Sequence, residues 1–250
     1  VPWWEDHDSP EPADVTDWRG NLWDHKEKAT HANARFTAPA RQCPSISPKF
    51  EDPQGVPISA IIFGGRRSRL APLVFQSFGW RHGVYVGASV ASETTAAATG
   101  QVGVVRRDPM AMLPFCGYNM AHYWGHWIDM EKKIAKPPAI FHVNWFRKSA
   151  EGKFLWPGFG ENLRPLLWML DRVNGRGDAE ETSIGYVPKT GALNVEGLGV
   201  SPETMKDLLH VEKSDWKAEI EDVRGFHEKF GASLPDGIKQ EREALAKRVS

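Results

Sequence analysis

Apolar positions are scattered without period through residues 1–55 and gather into short runs and helical stripes after them. Prolines at 2, 10, 12, 39, 44, 48, 53 and 57 punctuate that opening stretch. Each removes an amide donor and fixes φ, so a mostly irregular segment is expected there. The character changes at VPISAIIFGGRR. Ile58 to Phe63 is a short, mostly apolar run closed by Gly64 and Gly65, the pattern of a short buried strand. GVYVGA, residues 83–88, alternates in the manner of a second strand, and SETTAAAT after it favours helix up to Gly100. GVVRR at 103–107 is another strand candidate. Residues 118–133 read as a helix whose apolar face carries Met120, Tyr123, Trp124 and Trp127. AIFHVNWF, 139–146, returns to strand, and ENLRPLLWMLDRVNG, 161–175, to a helix with Gly175 at its C-cap.

From Ser201 onward the pattern is mainly helical. SPETMKDLLH offers Ser201 as N-cap and Pro202 at the first helical position. A second helix starts at Ser214 and stops at Gly231, and Asp236 opens a last one. Strands first and helices last, with no internal repeat, predict a mixed α/β fold: a mixed sheet with a helical C-terminal subdomain.

Composition narrows the partners. With 250 residues, 41% hydrophobic and 25% charged, the chain can bury a sizeable core. A net charge of -1 supplies no long-range field for nucleic acid or an anionic membrane, so any anion site must be local. Two cysteines, Cys43 and Cys116, without CxxC spacing, exclude a disulfide scaffold and a zinc knuckle and fit a reducing, cytoplasmic setting. No apolar run approaches the ~20 residues of a membrane span. The acidic, proline-broken start, VPWWEDHDSPEPADV, has no initiator Met and reads as a cut inside a longer chain.

Five stretches are candidates for chemistry. FGGRRSR, 63–69, runs a strand into Gly-Gly and two adjacent arginines, which is either a grip for phosphate or carboxylate or a solvated basic turn. It is not a GxxxxGK[ST] loop, which the chain lacks altogether. HANARF sets Asn33 and Arg35 two apart, able to hold one anion if extended. HYWGH spaces His122 and His126 one helical turn apart, compatible with a metal, but aromatic neighbours favour a packed helix interface. SETTAAATG reads equally as a mobile lid or a short exposed helix. NWFRKSAEGKFLWPGFGEN, 144–162, carries Trp145, Phe146, Phe154, Trp156 and Phe159 among three glycines, a proline and five charges. Rings held on turns suit either a minicore or stacking on a flat heterocycle, with Asn162 able to read a base edge.

HANARFTAPARQCP, GVPISAIIFGGRRS, WRHGVYVGASVASETTAAA, RRDPMAMLPFCGYN, FHVNWFRKSAEGKFLWPGFGEN and GYVPK, in that order, resemble the C-terminal part of GTP-dependent phosphoenolpyruvate carboxykinase. The resemblance covers practically the whole chain. It implies a nucleotide-binding C-terminal domain in a lyase of gluconeogenesis that converts oxaloacetate and GTP to phosphoenolpyruvate, GDP and carbon dioxide with manganese or magnesium. On the matching motifs, Trp145, Phe146, Phe154, Phe159 and Asn162 would form the guanine pocket. Asn33 and Arg35 would hold substrate and the transferring phosphate, and Arg66 would reach the nucleotide phosphates. Glu93 would open a lid loop at about 93–104. Residues 1–55 would then be a substrate-contacting segment continuing from a missing N-terminal half, and 56–250 the guanine-nucleotide domain. The family's P-loop and metal ligands match nothing here, so the isolated chain is expected to be inactive, with a non-catalytic guanine-nucleotide-binding or structural fragment as the alternative. The family is usually monomeric and cytosolic.

Overall fold

The computed structural model describes residues 10–31, 34, 37–95 and 101–250. They divide into two compact units, with the boundary between Val56 and Pro57. Asn33 and Arg35 lie outside the described residues, as does the 96–100 part of the expected lid. In the first unit the described residues form a single 3-10 turn, Ala40–Gln42, and one isolated bridge, Thr16 to Leu22. Local side-chain bonds replace ladders there: Asp17 Oδ1 accepts from the amides of Arg19 and Asn21, and Trp23 Nε1 donates to the Glu27 carbonyl.

The second unit is built on a five-stranded sheet. In chain order its strands are β1 (Ala60–Gly64), β2 (Val74–Gln76), β5 (Ala139–Val143), β6 (Ala179–Thr182) and β7 (Gly185–Pro188). Their spatial order is β1-β5-β2-β7-β6. β1 and β5 are parallel, with Ala60 opposite Ala139 and Gly64 opposite Val143, while the other pairings are antiparallel. A separate hairpin joins β3 (Ala91–Glu93) to β4 (Val105–Arg107). The helices are α1 (Trp80–Ala88), α2 (Met120–Met130), α3 (Leu163–Val173), α4 (Pro202–Leu209), α5 (Lys213–Glu228) and α6 (Asp236–Val249).

β5, inside the sheet, is buried on both faces. Ile140 belongs to the core formed with Phe63, Val84, Tyr85, Trp124 and Ile220, whereas Phe141 and Val143 belong to the one with Val74, Trp156, Trp168 and Leu208. Successive side chains point to opposite faces, so a continuous apolar run is what a strand covered twice requires.

Several expectations are corrected. GVYVGA is the second half of helix α1, not a strand. The reason is the spacing of its glycines: a Cβ on Gly83 would lie 2.5 Å from Ile140, and one on Gly87 2.6 Å from Phe63. One turn apart on one helix face, the two glycines let α1 sit directly on β5 and β1. Ser92 and Glu93, expected to be helical, are in strand β3. His122 and His126 are solvent-exposed on α2, not packed; Met120, Ala121 and Trp124 take the buried face. Asn119 caps α2 through the Ala121 amide, and Ser201 caps α4 through the Thr204 amide. α5 begins one residue before Ser214, with Glu212 accepting from the Ser214 amide as its cap. α3 ends as expected, with Gly175 at φ +73° just beyond Asn174.

The α1 contact yields a first prediction. Alanine at Gly83 gains about 1 kcal/mol of helix propensity. The added carbon, however, meets the Cβ of Ile140, which cannot rotate away, and overpacking of this kind costs about 1–3 kcal/mol. Gly83→Ala is expected to lower the urea midpoint, a net loss of up to about 2 kcal/mol. An unchanged or raised midpoint would show that α1 can slide off β5.

Candidate nucleotide site

The site is assembled at the C-terminal ends of the parallel pair β1 and β5. Beyond β1 the chain turns through Gly64 to Ser68. Gly65 is required there, because a Cβ would lie 2.3 Å from the Ala91 carbonyl oxygen. That close approach zips the turn to β3. The Arg66 amide donates to Ser92 Oγ at 3.1 Å, and the Glu93 amide donates to the Arg66 carbonyl at 2.7 Å. Glu93 Oε1 accepts from both the amide and the hydroxyl of Ser68, each at 2.8 Å. Glu93, expected to open the lid, therefore anchors its first strand. On the far side of the hairpin, Thr94 exchanges backbone bonds with Val104 and Gly103.

The end of β5 is tied to the same turn by Asn144, which is 1% exposed. Its Oδ1 accepts from the amides of Arg67 and Phe146, and its Nδ2 donates to the carbonyls of Arg67 and Ala71 at 2.8 and 2.9 Å. One side-chain amide thus sets the spacing between the Gly-Gly-Arg turn and the aromatic segment. Sequence reasoning passed over Asn144; the signal was a single amide closing an otherwise apolar strand.

The aromatic segment then folds back on itself. Leu155 N donates to Arg147 O, Ser149 N to Lys153 O, and Lys148 bridges Phe154. Buried Arg147 holds the fold from below by donating to the His210 carbonyl at 2.8 Å. Phe146 and Phe154 meet edge to face, with centroids 6.0 Å apart and planes at 76°. The Arg66 guanidinium lies over Phe146 at 6.0 Å, and Lys148 Nζ over Phe154 at 5.0 Å. Two rings and two cations are thereby brought together.

Phe154 is 58% and Phe159 95% exposed. Burying such a ring is worth about 1.5–3 kcal/mol, so these two are not there to stabilise the fold. Phe159 also sits at φ +51°, following Gly158 at φ +78°, a conformation costing a phenylalanine about 1–3 kcal/mol. Trp145 packs instead against the Trp156–Trp168 core. Trp156 is buried and donates from Nε1 to Asn162 Oδ1 at 2.9 Å. That bond turns the amide oxygen of Asn162 inward and leaves its NH2 group without a protein acceptor among the described residues.

The two arginines of the turn separate. Arg67 forms a two-pronged pair with Glu219 of α5, at 2.8 and 2.9 Å, and is 12% exposed. It is not a free anion ligand, contrary to the expectation of two adjacent donors. Arg66 bonds only weakly, from Nε to the Glu93 carbonyl at 3.4 Å, and has no carboxylate partner among the described residues. Burial alone would raise the Glu219 carboxyl, but the Arg67 and Arg107 guanidiniums outweigh it and hold the group below the ordinary range. Among the described residues no three His, Cys, Asp or Glu side chains are placed to hold a metal ion. No helix among them is long and apolar enough to cross a membrane.

This mixed α/β domain thus presents Arg66, which has no carboxylate partner among the described residues, over half-buried Phe146, which in turn meets exposed Phe154 edge to face. Residues 1–248 match the phosphoenolpyruvate carboxykinase C-terminal P-loop domain, and the chain belongs to that family. It is similar to the phosphoenolpyruvate carboxykinase [GTP] of Anaeromyxobacter sp. (strain K), 55% identical over 249 residues, 99% of this chain and 42% of that protein. The enzyme of the same name from Treponema pallidum (strain Nichols) is 50% identical over 260 residues, again 99% of this chain and 42% of the relative. That of Chlamydia caviae is 50% identical over 242 residues, 96% and 40%. The chain spans about two fifths of the length of these relatives. Although the family is described by a P-loop, no GxxxxGK[ST] occurs in these 250 residues.

Proposed function

We propose that this chain supplies guanine recognition, part of the phosphate grip and the lid stem to a GTP-dependent phosphoenolpyruvate carboxykinase. That enzyme converts oxaloacetate and GTP to phosphoenolpyruvate, GDP and carbon dioxide. Decarboxylation leaves an enolate, which then takes the γ-phosphoryl group. Catalysis of such a transfer consists largely of positioning and neutralising charge. The observation that carries the reading is the unpaired Arg66 guanidinium held beside the Phe146–Phe154 ring pair. Arg66 neutralises nucleotide phosphate, and the rings of Phe146, Phe154 and Phe159 wall in the base. The free NH2 of Asn162 suits the carbonyl oxygen of guanine and disfavours the exocyclic amine of adenine, since two donors cannot bond each other. By the matching motifs, Asn33 and Arg35 are assigned to substrate and the transferring phosphate, and Arg66, Arg35 and Glu93 are the residues assigned to catalysis. A manganese or magnesium ion belongs to the proposed reaction. The described residues do not provide its ligands, so no step through the metal is assigned to this chain. The setting is cytoplasmic, consistent with Cys43 and Cys116 both being free thiols.

Tryptophan emission tests the pocket, because Trp156 is bonded to the base-reading amide. GDP is expected to change emission at far lower concentration than ADP, and equal responses would remove Asn162 as a guanine reader. Phe159→Ala is expected to weaken GDP binding by about 1–3 kcal/mol, the worth of one base–aromatic stack. The purified 28.0 kDa chain should form no phosphoenolpyruvate from oxaloacetate and GTP; measurable product would refute the division of labour proposed here.

A further inference from the structure

We propose that Glu219 is a positioning residue for the phosphate grip, sorting the arginines of the turn so that Arg66 alone is presented to an anion. This rests on the reading of Arg66 given above. Helix α5 carries Asp215, Glu219 and Asp222 at i, i+4 and i+7, a spacing that lines up three carboxylates on one side of the helix. Each takes an arginine from the site. Asp215 Oδ2 accepts from Arg69 Nε at 2.9 Å. Glu219 accepts the two-pronged pair from Arg67 and, on Oε1, a third bond from Arg107 of β4 at 2.7 Å. Asp222 accepts from Arg107 Nε at 2.8 Å, and Arg107 also donates to the Ser89 carbonyl. Of the three arginines in GGRRSR, two are therefore matched to carboxylates and the third, Arg66, is matched to none among the described residues.

Glu219 is the member of this stripe that matters, because it is the buried one. Its side chain is 10% exposed and those of Arg67 and Arg107 are 12% and 8%, whereas Arg69 is 78% exposed and its pair is screened by solvent. A single carboxylate clamped between two guanidiniums joins the turn after β1 to the strand that follows the lid. The turn is then held at three consecutive residues: Arg66 through Ser92 and Glu93, Arg67 through Asn144 and Glu219, and Ser68 through Glu93. Without Glu219, Arg67 is a second mobile cation one residue from Arg66, and the turn loses its buried side-chain tie to α5, leaving only the exposed Arg69–Asp215 pair.

The test is Glu219→Gln, which keeps shape and removes the charge. Two quantities are measured on the whole chain. The first is hydrogen exchange at the amides of Arg66 and Ser68, with Val187 of β7 as the control. At least tenfold faster exchange at the two turn amides, with Val187 unchanged, is expected; equal change at all three, or none, would overturn the proposal. The second is the ratio of GTP to guanosine affinity. It is expected to fall at least tenfold through weaker GTP binding at constant guanosine affinity. A parallel loss of both ligands, or tighter GTP binding, would count against positioning. If wild-type chain favours GTP no more than guanosine, the nucleotide reading is what fails, and amide exchange still decides the role of Glu219. Should the Gln protein not fold, Arg67→Lys retains the cation, breaks the fork and carries the same two expectations.

Discussion

Acidification from pH 6.5 towards 4 is expected to strip most of the folding stability from this chain, and three buried histidines are the cause. Burial pushes His82 down to about 3, with Arg248 adding to the effect. It pushes His142 down to about 4, where Arg67 disfavours the imidazolium and Glu219 only partly offsets it. It pushes His227 down to about 4, with Arg242 and Arg107 adding positive charge nearby. The geometry agrees. His82 Nδ1 accepts from the Phe78 amide and so is unprotonated, His142 stacks on Phe75 at 5.1 Å, and His227 is enclosed by Tyr85, Trp124 and Phe226. In the unfolded chain these groups take up protons near 6.5, whereas in the fold they do so only near 3 to 4. Between those limits the unfolded state binds more protons, so stability falls as pH falls. At pH 4 each histidine forfeits up to about 3 kcal/mol, against a typical total of about 5–15. Glu219 is held below the ordinary carboxylate range, so the interval from 6.5 to 4.5 reports mainly on the histidines. Urea midpoints measured across that interval should drop steeply. His142→Phe, which keeps the stack on Phe75, should flatten the curve by about a third, its share of the three shifts. An unflattened curve would remove His142 from the set.

These histidines also mark the limit of what could be read from the chain alone. The strand runs at Ala60–Gly64 and Ala139–Val143, the Ser201 cap of α4 and the glycine stop of α3 were legible because each is written in neighbouring residues. α1 was misread since Val84, Tyr85 and Val86 mimic a strand locally. The helix is dictated by Gly83 and Gly87 against Ile140 and Phe63, contacts with residues distant in sequence. β2, β6 and β7 went unseen because AEET and VFQ are too short and mixed to carry a period. At the site the residue types were legible but their employment was not. Arg66 and Arg67 are indistinguishable as letters, and Glu219, which separates them, stands 152 positions from Arg67. Asn162 was seen as a base reader, but not the bond to Trp156 that decides which half of its amide faces outward.

The same distinction between letter and employment makes Asn144 the most sensitive single position in the site. Asn144→Ala is expected to destabilise the chain by about 3–5 kcal/mol. Each of its four hydrogen bonds is worth about 1 kcal/mol net. Four partners lose their bond at once: the amides of Arg67 and Phe146, and the carbonyls of Arg67 and Ala71. Space is not the issue, which the isosteric Asn144→Asp isolates. An aspartate would still accept from the two amides but would turn a second oxygen toward the two carbonyls. At neutral pH it would also bury a charge at a position only 1% exposed. It is therefore expected to be no better than alanine above pH 6 and to recover as the carboxyl is protonated, since the neutral acid regains one donor for one carbonyl. Its urea midpoint, taken relative to that of Asn144→Ala, should accordingly rise as pH falls, though both proteins lose stability through their histidines. Loss of guanine-nucleotide binding should accompany both substitutions, because the Arg66 turn and the Phe146 ring are registered against each other through this one side chain. An aspartate protein as stable as the parent at pH 7 would mean that water, rather than the amide, satisfies the turn.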